Sequence, residues 1–287
     1  MRVIRVIKEA IKIFFHRRLF LSFRNIFFNA KGNRRLKYIE IHLAEHCNLN
    51  CAYCLHNCPV ADKSFPDIAQ FEKDFIKLQK LTDGHIDTVK LLGGEPLLNP
   101  DITRFMEISR KYIPHGKIMV VTNGILLTQM NEEFWTTAKN NNISVFISKY
   151  PIKLDMKKIL KTAKKYKVNL EIRKSSGFFV VQKYDTTGKR NNLTAYKNCG
   201  AKDCTFLKDG KIYLCAEIFC SKYLQTAFNV NFSISQNDFL VLDEINNLRE
   251  ISDFISRPAP FCRYCASEES KWQRWKISEK KKEDWIL

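Results

Sequence analysis

Acidic charge is scarce in this sequence. There are 30 Asp and Glu against 48 Lys and Arg, a formal net charge of +18. Such a surplus suits an acidic substrate, an anionic membrane surface or nucleic acid. The basic residues are spread along the chain with no RRM, KH, zinc-finger or helix-turn-helix pattern among them, so no nucleic-acid partner is expected. Histidine is also rare: six in all, none after His115. A zinc site in the second half would therefore need cysteine alone. Long apolar runs are missing from residues 1–28, where Arg2, Arg5, Lys8, Lys12, Arg17, Arg18 and Arg24 interrupt every candidate. That excludes a hydrophobic export segment within that stretch. The expectation is a cytoplasmic chain in a reducing compartment.

Cysteine is abundant, with ten residues, and hydrophobic residues make up 45% of the chain. The second figure excludes disorder of the whole chain. In a reducing compartment, clustered Cys is more often a metal or redox site than a disulfide framework. The 287 residues allow one large α/β domain with an appendage, or two domains.

Residues 2–17 read as a basic amphipathic helix, Ile4, Ile7, Ile11, Phe14 and Phe15 opposing Arg5, Lys8, Lys12 and His16. It suits either the cover of an open barrel end or peripheral membrane docking. From Tyr38 onward, apolar strand candidates alternate with helical periodicities. The strands are 38–43, 88–92, 117–121, 143–147, 168–173 and 178–182; the helices are 66–81, 101–112, 131–139 and 154–166. Apolar strands alternating with helices predict a parallel α/β sheet or partial barrel. The polar, Gly-containing stretch 185–192 then reads as a linker. The expected division is an N-terminal extension (1–36), a core (37–185) and a Cys-rich region (186–287) ending in a Lys-rich tail from Trp272, expected as a solvated helix.

The first strand runs into Cys47-x3-Cys51-x2-Cys54. Three thiolates on one loop can hold one iron–sulfur cube and leave one iron open, as a catalytic site requires. Two rivals remain. Zinc would need a fourth ligand from His42, His46, His56 or Cys58. A closed ferredoxin-type cluster is suggested by Cys51-x2-Cys54-x3-Cys58-Pro59, although the first gap here is x3 rather than x2. With aromatic Tyr53 before the last Cys, the motif resembles the signature of the radical S-adenosylmethionine (SAM) superfamily. The resemblance implies a partial (β/α)6 barrel and a [4Fe-4S] cluster on Cys47, Cys51 and Cys54. SAM would chelate the open iron and be cleaved to a 5′-deoxyadenosyl radical that abstracts hydrogen from a substrate. Gly93-Gly94-Glu95 at the end of the second strand is similar to the superfamily's motif for the SAM amino group. Thr122-Asn123-Gly124 resembles its common turn after strand three. Tyr53, Gly93, Gly94, Glu95, Asn123, Ser148 and Arg173 are thus the expected cofactor contacts. A GxIxG-type adenine motif is missing from strand five.

Six further cysteines follow: Cys199, Cys204, Cys215, Cys220, Cys262 and Cys265. Cys199-x10-Gly210-x4-Cys215 resembles the opening of SPASM/twitch domains, which implies a second, auxiliary [4Fe-4S] cluster. The longer SPASM Cys run is absent, so the shorter twitch form is expected. Cys199, Cys215, Cys262 and Cys265 are the preferred ligands, with Cys204 competing for the first position; an all-Cys zinc site is the alternative. The expected outcome is oxidation or epimerisation of a polar substrate, a sugar derivative or a ribosomal peptide. A flavodoxin or ferredoxin would act as reductant. Cys220 and Glu217 are candidates for hydrogen donor and proton acceptor. A non-catalytic iron–sulfur scaffold or electron carrier is the remaining reading.

Overall fold

A computed structural model of the chain describes residues 36–173 and 177–287; the segment 2–17 lies outside the described residues. The first strand, Leu36–Ala44 (β1), is buried along nearly its whole length. It pairs in parallel with Ile86–Gly93 (β2), followed by Lys117–Thr122 (β3), Ile143–Ser148 (β4) and Leu170–Arg173 (β5). The sheet order puts these strands side by side in sequence order. Helices at Ile68–Thr82 (α1), Ile102–Tyr112 (α2), Glu132–Asn140 (α3) and Met156–Tyr166 (α4) supply the crossovers. Each buries one apolar stripe, such as Phe71, Phe75 and Leu78 of α1. The caps fix the helix starts. Asp67 accepts from the Gln70 amide at 2.8 Å, so α1 begins after Pro66. Asn131 and Asp155 cap α3 and α4 in the same way.

Because the strands are parallel, their C-terminal ends share one edge of the sheet. Ala44 is in register with Gly93, Thr122 with Ile147, and Ser148 with Arg173. Of the residues expected to touch the cofactor, Gly93, Gly94, Glu95, Asn123, Ser148 and Arg173 lie at or just beyond this edge, and Tyr53 lies in the loop that leaves β1.

The run Phe178–Val181 (β6) does not continue the parallel series as expected. It pairs antiparallel with Lys271–Arg274 (β10) in a separate ribbon. Only residues 174–177 separate it from β5, whereas a parallel crossover needs about a dozen residues. The five parallel strands therefore end at β5. On the other side of β1 the sheet grows instead through Phe206–Lys208 (β7), which is parallel to it. Lys211–Tyr213 (β8) and Phe239–Val241 (β9) then follow antiparallel. The β7–β8 hairpin turns on Asp209 and Gly210, both left-handed at φ 48° and 72°, as the Asp-Gly pair predicts.

The tail after Trp272 is not a solvated helix. Beyond β10 it is extended as far as a short 3-10 turn at Lys282–Asp284, Cys51 and Ile277 form an antiparallel bridge, and Trp285 and Ile286 are buried. Among its many lysines, the apolar residues spaced along it decide its placement. A second apolar cluster, with Phe206, Tyr213, Leu224, Phe261 and Trp285, packs around the C-terminal cysteines beside Asn192–Asn198 (α5) and Ala216–Phe228 (α6). No described helix is long and apolar enough to cross a membrane.

At the opposite edge of the sheet the Arg110 guanidinium donates to the carbonyls of Ile113, Pro114, Gly116, Asn141 and Asn142, at 2.7–3.1 Å. A lysine offers three donors and no planar fork. Arg110→Lys is expected to cost about 2–3 kcal/mol, roughly 3–5 °C in melting temperature, readable by calorimetry.

Candidate active site

The Cys47–Cys54 loop leaves β1 and lies against the turn after β2. The Gly94 amide donates to the Ala44 carbonyl at 2.8 Å, and the Glu95 amide to the His46 carbonyl at 3.1 Å. A side chain has no room here. A Cβ on Gly93, whose φ is +127°, would stand 2.2 Å from the Ala44 oxygen, and one on Gly94 would stand 2.0 Å from the His46 oxygen. The paired glycines thus serve a backbone-to-backbone approach between the two loops.

Glu95 is fully buried. Its Oε1 accepts from the Thr122 hydroxyl at 2.7 Å and the Leu97 amide at 3.1 Å, and its Oε2 from the Asn123 amide at 2.9 Å. Burial raises its pKa to about 7 against these three bonds. Three bonds leave a carboxylate room for about one more donor. Asn123 reaches the cysteine loop itself, donating to Asn48 Oδ1 at 2.7 Å and lying 3.7 Å from Cys47 Sγ.

The thiols are aimed at by N–H groups. The Leu49 amide donates to Cys47 Sγ at 3.3 Å, and the Trp275 indole to Cys51 Sγ at 3.2 Å. Burial pushes both thiols up to about 12. The Cys58 thiol donates to the His56 carbonyl at 3.7 Å, and the influence of Cys54 and Cys58 on each other lowers the Cys54 pKa and raises that of Cys58. Tyr53 adopts a left-handed backbone, φ 62°, just before Cys54. The Lys276 ammonium lies over its ring, 5.4 Å from the centroid.

At the ends of β4 and β5, Ser148 is half-buried and Arg173 exposed. Tyr150, just past β4, is drawn among the thiols: burial and then Cys51, Cys54 and Cys47 raise its pKa. It stacks on Phe179 at 5.5 Å and leans on Trp275 at 6.2 Å. This aromatic wall is not visible in the motifs, because its members come from three distant segments.

Cys199, Cys215, Cys262 and Cys265 line one small enclosed cavity with Lys202, Glu217 and Ser267. Cys204 is not among its walls; after burial, the strongest influences on it are Glu40 and Lys90. Burial is the largest cause raising each of the four thiols, to about 12 for Cys199 and about 11 for Cys262. A cationic iron core would supply the positive charge that thiolates there require, as it would at Cys47, Cys51 and Cys54. Both groups fit iron–sulfur ligation in that sense. Glu217 lies 3.8 Å from Cys215 Sγ, with its pKa raised to about 7 by burial.

Cys220 is fully buried on α6, where His42 and Glu45 share its surroundings. The His42 Nδ1 and Glu45 Oε2 are 2.8 Å apart, and the Lys208 ammonium lies 3.0 Å from Glu45 Oε1. These partners hold the Glu45 carboxyl below the usual range despite its burial. His42 was open as a fourth metal ligand for the first loop; the described arrangement directs it to Glu45.

Residues 41–172 match the radical SAM superfamily. Over 99 residues the chain is 32% identical to the GTP 3′,8-cyclase of Nautilia profundicola, covering 34% of this chain and 31% of that protein. It is 29% identical over 116 residues to the GTP 3′,8-cyclase of Clostridium botulinum, covering 40% and 36%. The matches thus span about a third of those relatives' length. Among solved structures, BtrN in complex with AdoMet and 2-DOIA aligns over 88% of this chain and 98% of that one, at TM-score 0.50 and 19% identity. That likeness is one of fold.

Gly94→Ala is expected to separate the β1 and β2 loops. After anaerobic reconstitution the variant should lose about four irons per chain, one four-iron cluster, by iron and sulfide analysis. An unchanged count would show that the loop tolerates the displacement.

Proposed function

This chain carries a radical SAM domain over residues 41–172, and from that premise we propose that it is a SAM-cleaving enzyme that oxidises or epimerises a polar, sugar-like substrate with the help of a second cluster. The observation that carries the reading is the cysteine loop at the C-terminal edge of the parallel sheet, pinned by Gly94, Glu95 and Asn123. Cys47, Cys51 and Cys54 would hold the first [4Fe-4S] cluster. Tyr53, Gly93, Gly94, Glu95, Asn123, Ser148 and Arg173 would surround SAM. When bound, the cluster and SAM supply one-electron cleavage to a 5′-deoxyadenosyl radical. Tyr150 stacks on Phe179 and leans on Trp275, whose indole reaches Cys51. Cys199, Cys215, Cys262 and Cys265 would hold the auxiliary cluster. Glu217 stands beside it at a pKa near neutrality, suited to accept a proton.

A basic chain suits a phosphorylated or nucleotide-linked sugar. The curated relatives are named for GTP, itself a phosphorylated nucleoside. A peptide substrate is the alternative, and a flavodoxin or ferredoxin the expected electron donor. A closed, non-catalytic four-cysteine cluster is the remaining reading, with buried Cys58, four residues after Cys54, as its fourth ligand.

The test is anaerobic reconstitution, iron counting, and assay of 5′-deoxyadenosine from SAM under dithionite. About eight irons per chain and deoxyadenosine lost in the Cys47/Cys51/Cys54→Ala triple variant are expected. Full iron with no SAM cleavage, and iron lost on Cys58→Ala, would favour the closed cluster. For the auxiliary site, Cys262→Ala should lower the count by about four irons while Cys204→Ala leaves it unchanged. The reverse result would put Cys204 in the ligand set.

A further inference from the structure

We propose that Trp275 tunes the first cluster: its indole N–H bonds to Cys51 Sγ and favours the reduced state from which SAM is cleaved. The inference rests on the radical SAM reading and deepens it. Trp275 lies far away in sequence, separated from Cys51 by 224 positions, yet its Nε1 is 3.2 Å from the sulfur. Among the described residues it is the side chain that donates to Cys51, while Asn123 lies against Cys47.

The placement is built, not incidental. The strand β10 pairs with β6, and the Trp275 amide extends that pairing by donating to the Gly177 carbonyl at 2.8 Å. The next residues grip the loop on both sides of Cys51. The Ala52 amide donates to the Lys276 carbonyl at 3.0 Å, and the Ser278 amide to the Asn50 carbonyl at 2.8 Å. Further along, the Trp285 indole donates to the Cys54 carbonyl at 3.0 Å. Two backbone bonds therefore fix the position of Cys51 relative to Trp275. Tyr150 flanks the indole ring on another side.

The chemistry follows from charge. Adding one electron to an iron–sulfur cluster makes it and its thiolates more negative. An N–H dipole aimed at a ligand sulfur stabilises that state more than the oxidised one and raises the potential. The electron comes from an external one-electron donor, dithionite in vitro, and no bond in Trp275 is made or broken. Trp275 is thus a positioning and tuning residue that acts through Cys51.

The experiment is a redox titration of the reconstituted full chain, followed by EPR of the reduced cluster, for wild type, W275F and W272F. Phenylalanine keeps an aromatic ring and removes the donor. Trp272 lies on β10, just before Trp275, and is half exposed, so W272F controls for disturbance of β10. At the wild-type midpoint, W275F is expected to show about a tenfold lower ratio of reduced to oxidised cluster, a 59 mV shift for one electron, with iron content and W272F unchanged. A W275F ratio within twofold of wild type, or an equal shift in W272F, would overturn the proposal. Should W275F bind no iron, the wild type decides: with 15N-indole tryptophan, the reduced cluster must show a hyperfine coupling to nitrogen that W272F retains, and its absence overturns the proposal. Failure of the wild type itself to bind a cluster would instead remove the radical SAM reading beneath it.

Discussion

Two backbone hydrogen bonds, from Gly94 to Ala44 and from Glu95 to His46, are the constraint on which the site depends. They exist because neither glycine carries a Cβ, which would stand within 2.2 Å of a carbonyl oxygen. With the loops after β1 and β2 in contact, Glu95 can sink beneath them and gather donors from β3. Asn123 is thereby brought against the cysteine loop. The first cysteine cluster is less a property of its own short motif than of three strand ends locked at one edge of a parallel sheet.

The same logic of missing charge runs through both cysteine groups. Buried thiols without a nearby cation hold their protons, which is why burial is the leading cause raising Cys47, Cys51, Cys199 and Cys215. N–H groups of Leu49, Trp275 and Ala201 point at Cys47, Cys51 and Cys199, while Lys202 lines the second cavity. The two groups are also mechanically joined. The Tyr184 amide donates to the Trp285 carbonyl at 2.7 Å, and Tyr184 bridges to Cys265, while the Trp285 indole holds Cys54.

Much of the fold was legible in the sequence. The five parallel strands and four crossover helices follow from local periodicities, and the β7–β8 hairpin from its Asp-Gly turn. What escaped were relations across long distances. Phe178–Val181 looks like a buried strand, yet the short connection before it forbids a parallel place, and Phe178 and Val180 end half exposed. The tail reads as solvated because lysine dominates its composition; Trp275 and Trp285 decide otherwise. At the site, spacing located the cysteine loop but not what faces it. Tyr150 and Trp275 carry no local pattern, whereas Cys58 stands out in the Cys51-x2-Cys54-x3-Cys58-Pro59 spacing. Spacing alone could not separate Cys199 from Cys204, since both precede the hairpin; what differs is that Cys199 lines the cavity shared with Cys215, Cys262 and Cys265 and Cys204 does not.

The grip of the tail on the loop bears on how the protein matures. Contacts between residues 50–54 and 276–285 close one of the longest chain loops in the molecule, and contacts of such separation carry a high entropic cost and tend to form late. With the tail docked, Cys47, Cys51 and Cys54 are still only half-buried: the last segment of the chain frames the loop without sealing it.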